Sequence, residues 1–305
     1  MERTLVIGSR GSKLALTQAE LIKAQLAGLA PNLRIRIEII KTTGDVKNKP
    51  LSVIGGKGVF TKELEDALLD ARIDIAVHSL KDLPTIIPSG LTIAAVCERE
   101  DPRDALVLRE TVESASLLDL PPGAVVGTSS QRRLAQVSHV RGDLTIKDLR
   151  GNVDTRLRRL DADEYDALIL AAAGLRRLGL ERRISATISI DEMLPAVGQG
   201  ALAIETRADD EFVIETSVEL NHHPTQLACN AERAFLRALG GGCELPIAGY
   251  AVVSDNELTL HGLVANRIGS EIIRDQLSGT GAEAENLGAD LAHRLLEQGA
   301  RRLLD

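Results

Sequence analysis

Apolar positions in the first eighty residues follow two periods in turn. Thr4–Gly8 is a short apolar run of strand type, and from Ser12 onward Ala15, Ala19, Ile22, Leu26 and Leu29 recur at spacings of four and three, one face of a helix. Leu33–Ile39 alternates residue by residue, the pattern of a half-buried strand. A glycine-bearing loop over 50–59 follows, then helical spacing over Thr61–Ala71 and a second apolar strand at Ile73–Val77. Strand, helix, strand, helix, strand predicts an α/β layer with parallel strands.

The pattern restarts after Pro121-Pro122. Val125-Val126, Thr145–Leu149 and Asp166–Leu170 read as strands, with helices opening at Thr128, at Asn152 as a cap, and over Ala171–Leu178. This is a second α/β unit, related in plan to the first. Ala201–Glu205 reads as one further strand, returning to the first unit. The last ninety residues follow a different order. A helix over Gln226–Leu239 is stopped by Gly240-Gly241-Gly242, and strands follow at Ile247–Val253, Leu258–Val264 and Glu271–Leu277. A final helix places Leu287, Leu291 and Leu295 on one face, so this part is a small α+β domain.

Composition narrows the function. The chain has 305 residues and a formal net charge of −8, which argues against a general nucleic-acid surface. Aromatics make up 2% and Trp is absent, which weakens any reading that needs stacking platforms. Cys97, Cys229 and Cys243 are too few and too far apart for a disulfide framework or a metal knuckle, which fits a reducing compartment. His222-His223 lack partners at ligand spacing, so no metal is expected. No signal-type segment or membrane-length apolar run is seen, so a cytoplasmic protein is expected.

The chemistry gathers at strand-to-helix turns. Thr128-Ser-Ser-Gln-Arg132-Arg133 follows a strand and opens a helix, with capping-box spacing from Thr128 to Gln131. Free N–H groups and the dipole at a helix start favour anions, and hydroxyls and guanidinium groups add to that. The alternative is a well-capped helix with solvated arginines. Arg150-Gly151-Asn152, with Arg156 one turn on, and Ser9-Arg10-Gly11-Ser12 repeat the arrangement. Ligands of open α/β sheets sit beyond the carboxyl ends of strands, and arginine forks match carboxylates, so a polycarboxylate or phosphate ligand is implied. Gly55-Gly56-Lys57-Gly58 lacks P-loop spacing, and no strand is followed by GxGxxG, which disfavours a nucleotide. In His78-Ser-Leu-Lys81-Asp82-Leu-Pro84, Asp82 has two readings: an ionised carboxylate beside Lys81 able to stabilise a developing cation, or a turn residue ahead of proline. His78 reads as a hydrogen-bonded structural residue. Cys243 sits on a glycine loop, whereas Cys97 and Cys229 read as small buried residues.

Taken in order, these segments resemble the porphobilinogen deaminase (hydroxymethylbilane synthase) family. The resemblance rests on Gly8-Ser-Arg10, Lys41-Thr-Thr-Gly-Asp45, Gly55-Gly-Lys-Gly-Val-Phe60, His78–Pro84, Gly127–Arg133, Leu149-Arg-Gly-Asn152, Ala173–Gly179, Pro195–Gly200 and Gly241-Gly-Cys-Glu-Leu-Pro246. It implies two α/β domains with mixed sheets, like type II periplasmic binding proteins, and a small α+β C-terminal domain. The expected boundaries are 1–98 with 198–216, 99–197, and 217–305. It implies a transferase that joins four porphobilinogen molecules head to tail with loss of ammonia and then releases hydroxymethylbilane, for tetrapyrrole and haem biosynthesis. A dipyrromethane cofactor is implied, held by a thioether to Cys243, with Asp82 as the catalytic carboxylate. Arg10, Arg132, Arg133, Arg150, Arg156 and Arg177 fall on the family's carboxylate-binding arginines, and Ser12, Lys81, Thr128 and Ser130 on its supporting polar positions. Lys57 and Phe60 fall on its mobile loop. A monomer is implied, with no nucleic-acid or membrane partner.

Gln131 and Asp154 depart mildly from the family pattern, Asp154 being expected to point to solvent. Two rival classes share some of these features. A binding protein would use arginine-lined strand ends equally well, but the third domain and Cys243 are unexplained by it. A transcriptional regulator would need a DNA-reading module, which an acidic C-terminal domain with no lysine after Lys147 does not supply.

Overall fold

A computed structural model describes residues 4–42, 61–242, 244–255 and 257–304. Its contacts divide the chain into two compact units, Met1–Arg99 with Ala201–Gln226, and Glu100–Gly200 with Leu227–Asp305.

The first unit is built on β1 (Thr4–Ser9), α1 (Lys13–Leu29), β2 (Arg34–Ile39), α2 (Lys62–Leu69), β3 (Ile75–Ser79) and β4 (Leu91–Val96). β10 (Leu202–Arg207) returns to it, and the sheet order is β2-β1-β3-β10-β4. β1 runs parallel to β2 and β3, while β10 is antiparallel to β3 and β4. Strand alternation divides the apolar side chains between two cores. Leu5, Ile7, Ile75, Val77 and Ile204 pack with Ala19, Ile22 and Leu26 of α1. Val6 and Ala76 point the other way, onto Leu64, Ala67 and Leu68 of α2. Ala15 and Leu29, expected on the buried stripe of α1, are half-buried and exposed, and the buried stripe is confined to Gln18, Ala19, Ile22 and Leu26. The unit continues through α6 (Glu211–Val218), past the expected limit at 216, because Val213 and Leu220 pack into the α1 core.

The second unit repeats this plan. It contains β5 (Asp104–Leu108), β6 (Val125–Gly127), α3 (Gln131–Val140), β7 (Thr145–Lys147), α4 (Val153–Asp161), β8 (Ala167–Ala171), α5 (Ala172–Arg177) and β9 (Ala186–Thr187), with sheet order β7-β6-β8-β5-β9. β6 is parallel to β7 and β8, and β5 is antiparallel to β8 and β9, the same sequence of directions as in the first sheet. The expected kinship of the two α/β units is therefore visible in their topology. The same unit holds a three-stranded antiparallel meander, β11 (Ile247–Ser254), β12 (Glu257–Ala265) and β13 (Ile272–Thr280), covered by α7 (His223–Ala238) and α8 (Ala284–Leu295).

Phe235 of α7 is the largest fully buried side chain of that layer. Gly249 and Gly262 face each other across β11 and β12, and a Cβ on Gly262 would lie 2.7 Å from the Phe235 ring. Gly288 lets α8 approach α7, since a Cβ there would stand 2.3 Å from the Ala231 carbonyl oxygen and 2.8 Å from the Phe235 nitrogen. Those are backbone atoms and cannot swing aside. Gly288→Ala is therefore expected to destabilise the chain by about 1–3 kcal/mol despite the better helix propensity of alanine, read as a lower thermal midpoint.

Candidate active site

In the first unit the expected residues lie at the carboxyl ends of two adjacent parallel strands. β1 ends at Ser9, and the chain turns through Arg10 and Gly11 to Ser12, whose hydroxyl caps α1 by accepting from the Ala15 N–H at 3.3 Å. β3 ends at Ser79 and passes into a single 3₁₀ turn, Leu80–Asp82. Leu80 is buried in the core, Lys81 is half-buried and Asp82 is exposed. The turn is tied down by backbone bonds from Leu80 N–H to the Ala201 carbonyl, 3.0 Å, and from Leu83 N–H to the Leu80 carbonyl, 3.1 Å. His78 is the structural residue expected, its Nε2 standing 2.9 Å from Oε2 of the buried Glu205.

In the second unit three turns line the carboxyl ends of β6, β7 and β8. After β6, Ser130 rather than Thr128 caps α3, accepting from the Arg133 N–H at 3.5 Å. The capping box from Thr128 to Gln131 does not form. Thr128, two residues earlier, is buried and its hydroxyl accepts from the Ser130 N–H at 3.2 Å, which shapes the approach to the cap. After β7, Asn152 caps α4 as expected, accepting from the Thr155 N–H at 3.0 Å. Arg150 pairs with Asp148 at 2.6 Å, and Arg156 Nε donates to the Gly151 carbonyl at 2.8 Å, so both guanidinium groups are oriented on this turn. Asp154 is half-buried in the first turn of α4, where its charge suits the helix dipole. After β8, Arg177 donates to the Gly200 carbonyl at 2.6 Å.

Arg132 and Arg133 are placed differently from what the sequence suggests. Both are buried, and both are partners of Asp104, the first residue of β5. Arg132 Nη1 donates to Asp104 Oδ2 at 2.7 Å and to the Leu194 carbonyl at 2.8 Å. Arg133 donates to Asp104 Oδ1 through Nη2 at 2.7 Å and Nε at 3.1 Å, and to the Ile169 carbonyl through Nη1 at 2.9 Å. Gln199 Nε2 adds a further bond to Asp104 Oδ1 at 2.9 Å. Burial alone would raise the Asp104 carboxyl, but the charges of Arg132 and Arg133 and their hydrogen bonds outweigh it and hold the group far below the usual carboxylate range. The arginines at the start of α3 thus share one buried counter-ion. Arg132 Nε, buried, has no hydrogen-bond partner among the described residues. Asp104 is the site-related residue that sequence reading missed.

Lys57, Phe60 and Cys243 lie outside the described residues. Cys97 and Cys229 are both buried, so neither offers a thiol suited to carrying a bulky group. Hydroxyl-capped helix starts in both units, and oriented guanidinium groups in the second, are partners suited to a carboxylate-bearing ligand.

The family model described as "Porphobilinogen deaminase, dipyromethane cofactor binding domain" matches residues 5–215, and "Porphobilinogen deaminase, C-terminal domain" matches residues 226–297. A porphobilinogen deaminase of Gloeobacter violaceus is 51% identical over 308 residues, covering 100% of this chain and 94% of that protein. One of Syntrophobacter fumaroxidans is 47% identical, covering 100% and 98%, and one of Synechococcus elongatus is 50% identical, covering 99% and 95%. Among solved structures, the periplasmic VFT2 domain of Bordetella pertussis BvgS is similar with a TM-score of 0.42 and 13% identity over 71% of this chain and 86% of that one. A TRAP periplasmic solute binding protein of Desulfovibrio salexigens gives 0.44 and 12% over 72% and 73%. With both family models matched in order and half the residues identical along the full length of these relatives, the chain belongs to the porphobilinogen deaminase family.

Proposed function

We propose that this chain joins four porphobilinogen molecules head to tail, with loss of ammonia at each addition, and then releases hydroxymethylbilane by hydrolysis. The observation that carries the reading is the placement of Asp82. It stands exposed on a turn pinned at the carboxyl end of β3, beside the Arg10–Ser12 turn that ends the neighbouring strand β1. Departure of ammonia leaves positive charge on the pyrrole, and a fixed carboxylate stabilises that charge and can take a proton afterwards. Arg10, Ser12, Lys81, Thr128, Ser130, Arg150, Arg156 and Arg177 bind the acetate and propionate groups of the pyrroles. Arg132 and Arg133 act at the start of α3 with whatever bonding capacity Asp104 leaves them. Each added unit brings two more carboxylates, which would repel one another and be costly to desolvate without such partners.

Dipyrromethane, when bound through Cys243, supplies the primer on which the chain grows. Lys57 and Phe60 cover the substrate in this reading. The finer division into three domains, a monomeric state, a cytoplasmic location and the absence of a nucleic-acid partner belong to the same proposal. The acidic composition supports the last of these, and no helix among the described residues is long and apolar enough to cross a membrane.

Intact mass and ammonia release test the proposal together. The purified protein is expected to carry an excess equal to two porphobilinogen units less two ammonia, and Cys243→Ser to lack it. On incubation with porphobilinogen the parent should release ammonia and a linear tetrapyrrole. A protein that binds porphobilinogen but gains no mass and releases no ammonia would be a binding protein on this scaffold, and the proposal would fail.

A further inference from the structure

The last two residues of β3, immediately ahead of the turn that carries Asp82, are gripped on both faces of the sheet. On one face His78 Nε2 meets Oε2 of Glu205 on β10 at 2.9 Å, with His78 5% and Glu205 0% exposed. On the other face the Gln18 side-chain amide of α1 donates to the Ser79 hydroxyl at 3.0 Å. Gln18 is buried as well. Between these grips and Asp82 lie only Leu80, buried in the core, and Lys81.

The Glu205 side has features that stability alone does not explain. A second carboxylate, Glu65 of α2, approaches the same pair, and burial pushes its carboxyl up, with Thr61 opposing and Glu205 adding to the rise. Glu65 Oε1 and Glu205 Oε1 both lack a hydrogen-bond partner among the described residues. Two carboxylates and an imidazole in one buried spot carry a desolvation cost that an apolar pair of the same volume would avoid, so the pair is weak support for stability. What a directional, charged contact supplies is a fixed orientation. Gln18 to Ser79 has the same character: a part-buried polar bond from a buried helix side chain to the strand end, where apolar packing is the rule elsewhere in that core.

We propose that Glu205, through His78, and Gln18, through Ser79, are positioning residues that fix the end of β3 so that the Leu80–Asp82 turn presents its carboxylate in one orientation. The inference rests on Asp82 being the catalytic carboxylate, which the Asp82→Asn variant tests separately. A catalytic group held on a single short turn is sensitive to small displacements, and misplacement by an ångström can cost about a hundredfold in rate.

The test uses the cofactor-loaded enzyme and near-isosteric variants. Glu205→Gln is expected to lower kcat about ten- to a hundredfold, and Gln18→Met about three- to tenfold, with KM held within about twofold because the carboxylate-binding arginines are untouched. Thermal midpoints show whether each variant is folded, and Gln18→Met keeps the test alive should Glu205→Gln fail to fold. The decisive arm is coupling to Asp82. In an Asp82→Glu background, which keeps a carboxylate but on a longer arm, Glu205→Gln should cost no more than about a further twofold, because the geometry it protects is already lost. If either single variant keeps kcat within about twofold of the parent, or if the Glu205→Gln loss persists in full on Asp82→Glu, the positioning role is wrong. A loss in Asp82→Asn with no loss in Glu205→Gln would leave the catalytic assignment standing and overturn only this inference.

Discussion

Asp82→Asn is expected to lower the rate of ammonia release about 10²–10⁴-fold while leaving the fold and the cofactor mass in place. Asparagine has nearly the shape of aspartate and accepts one hydrogen bond as well, but it carries no charge to set against a developing cation and takes no proton. The fold should not notice the change, because Asp82 is exposed and the turn is held by the Leu80 and Leu83 backbone bonds and the burial of Leu80, none of which involves the carboxylate. The effect should therefore appear in kcat rather than KM, the mark of an interaction made chiefly in the transition state. Steady-state ammonia release with the thermal midpoint measured on the same sample decides it. An Asp82→Asn enzyme within about tenfold of the parent would move the catalytic role to another residue.

How much of the molecule is legible in its sequence depends on whether the signal is local. The α/β plan is legible because β1, α1 and β3 each carry their own period, and Ser12 and Asn152 cap helices that the spacing already places. At the start of α3 the local signal is ambiguous, since Thr128, Ser129 and Ser130 are all competent caps, and the choice of Ser130 follows from where β6 ends. β5 escapes notice, a short run without clean alternation that begins directly after a charged stretch, Glu98–Arg103. Asp104 is hidden for the same reason, its partners Arg132, Arg133 and Gln199 lying 28, 29 and 95 residues away. Glu205 looks like an outward-facing polar position in a strand, yet it is fully buried against His78, 127 residues away in the chain. Residues proposed to contact the ligand sit on turns with recognisable chemistry, whereas residues that hold those turns in place are defined only by the folded chain. The candidate catalytic and binding set is thus open to sequence reading and its support is not.

Asp104→Asn tests that support directly, and a destabilisation of about 3–5 kcal/mol is expected at neutral pH. Were Asp104 merely one hydrogen-bond acceptor among many, its loss would cost about 1 kcal/mol, because asparagine still accepts with its carbonyl oxygen. The larger figure follows from charge. Arg132 and Arg133 are buried, guanidinium groups do not shed their protons near neutrality, and no other acid forms a salt bridge with either among the described residues. Removing the carboxylate charge leaves two buried cations facing each other, and the amide nitrogen of asparagine would add a donor where only donors already point. The pH dependence has a definite sign. The folded-state value of Asp104 lies below its unfolded value, so its contribution is fully present above about pH 4 and fades as the pH falls below that towards the folded value. The stability gap between parent and Asp104→Asn, read from urea midpoints, should accordingly be constant from neutrality down to about pH 5 and narrow below about pH 4. Because the same two arginines open α3 beside the Ser130 cap, the variant should also bind porphobilinogen carboxylates less well, raising KM, in contrast to the kcat loss of Asp82→Asn. A gap near about 1 kcal/mol, the cost of one ordinary hydrogen bond, that does not change with pH would mean that Arg132 and Arg133 have a different counter-charge, and that the hub at the head of β5 is not what holds them.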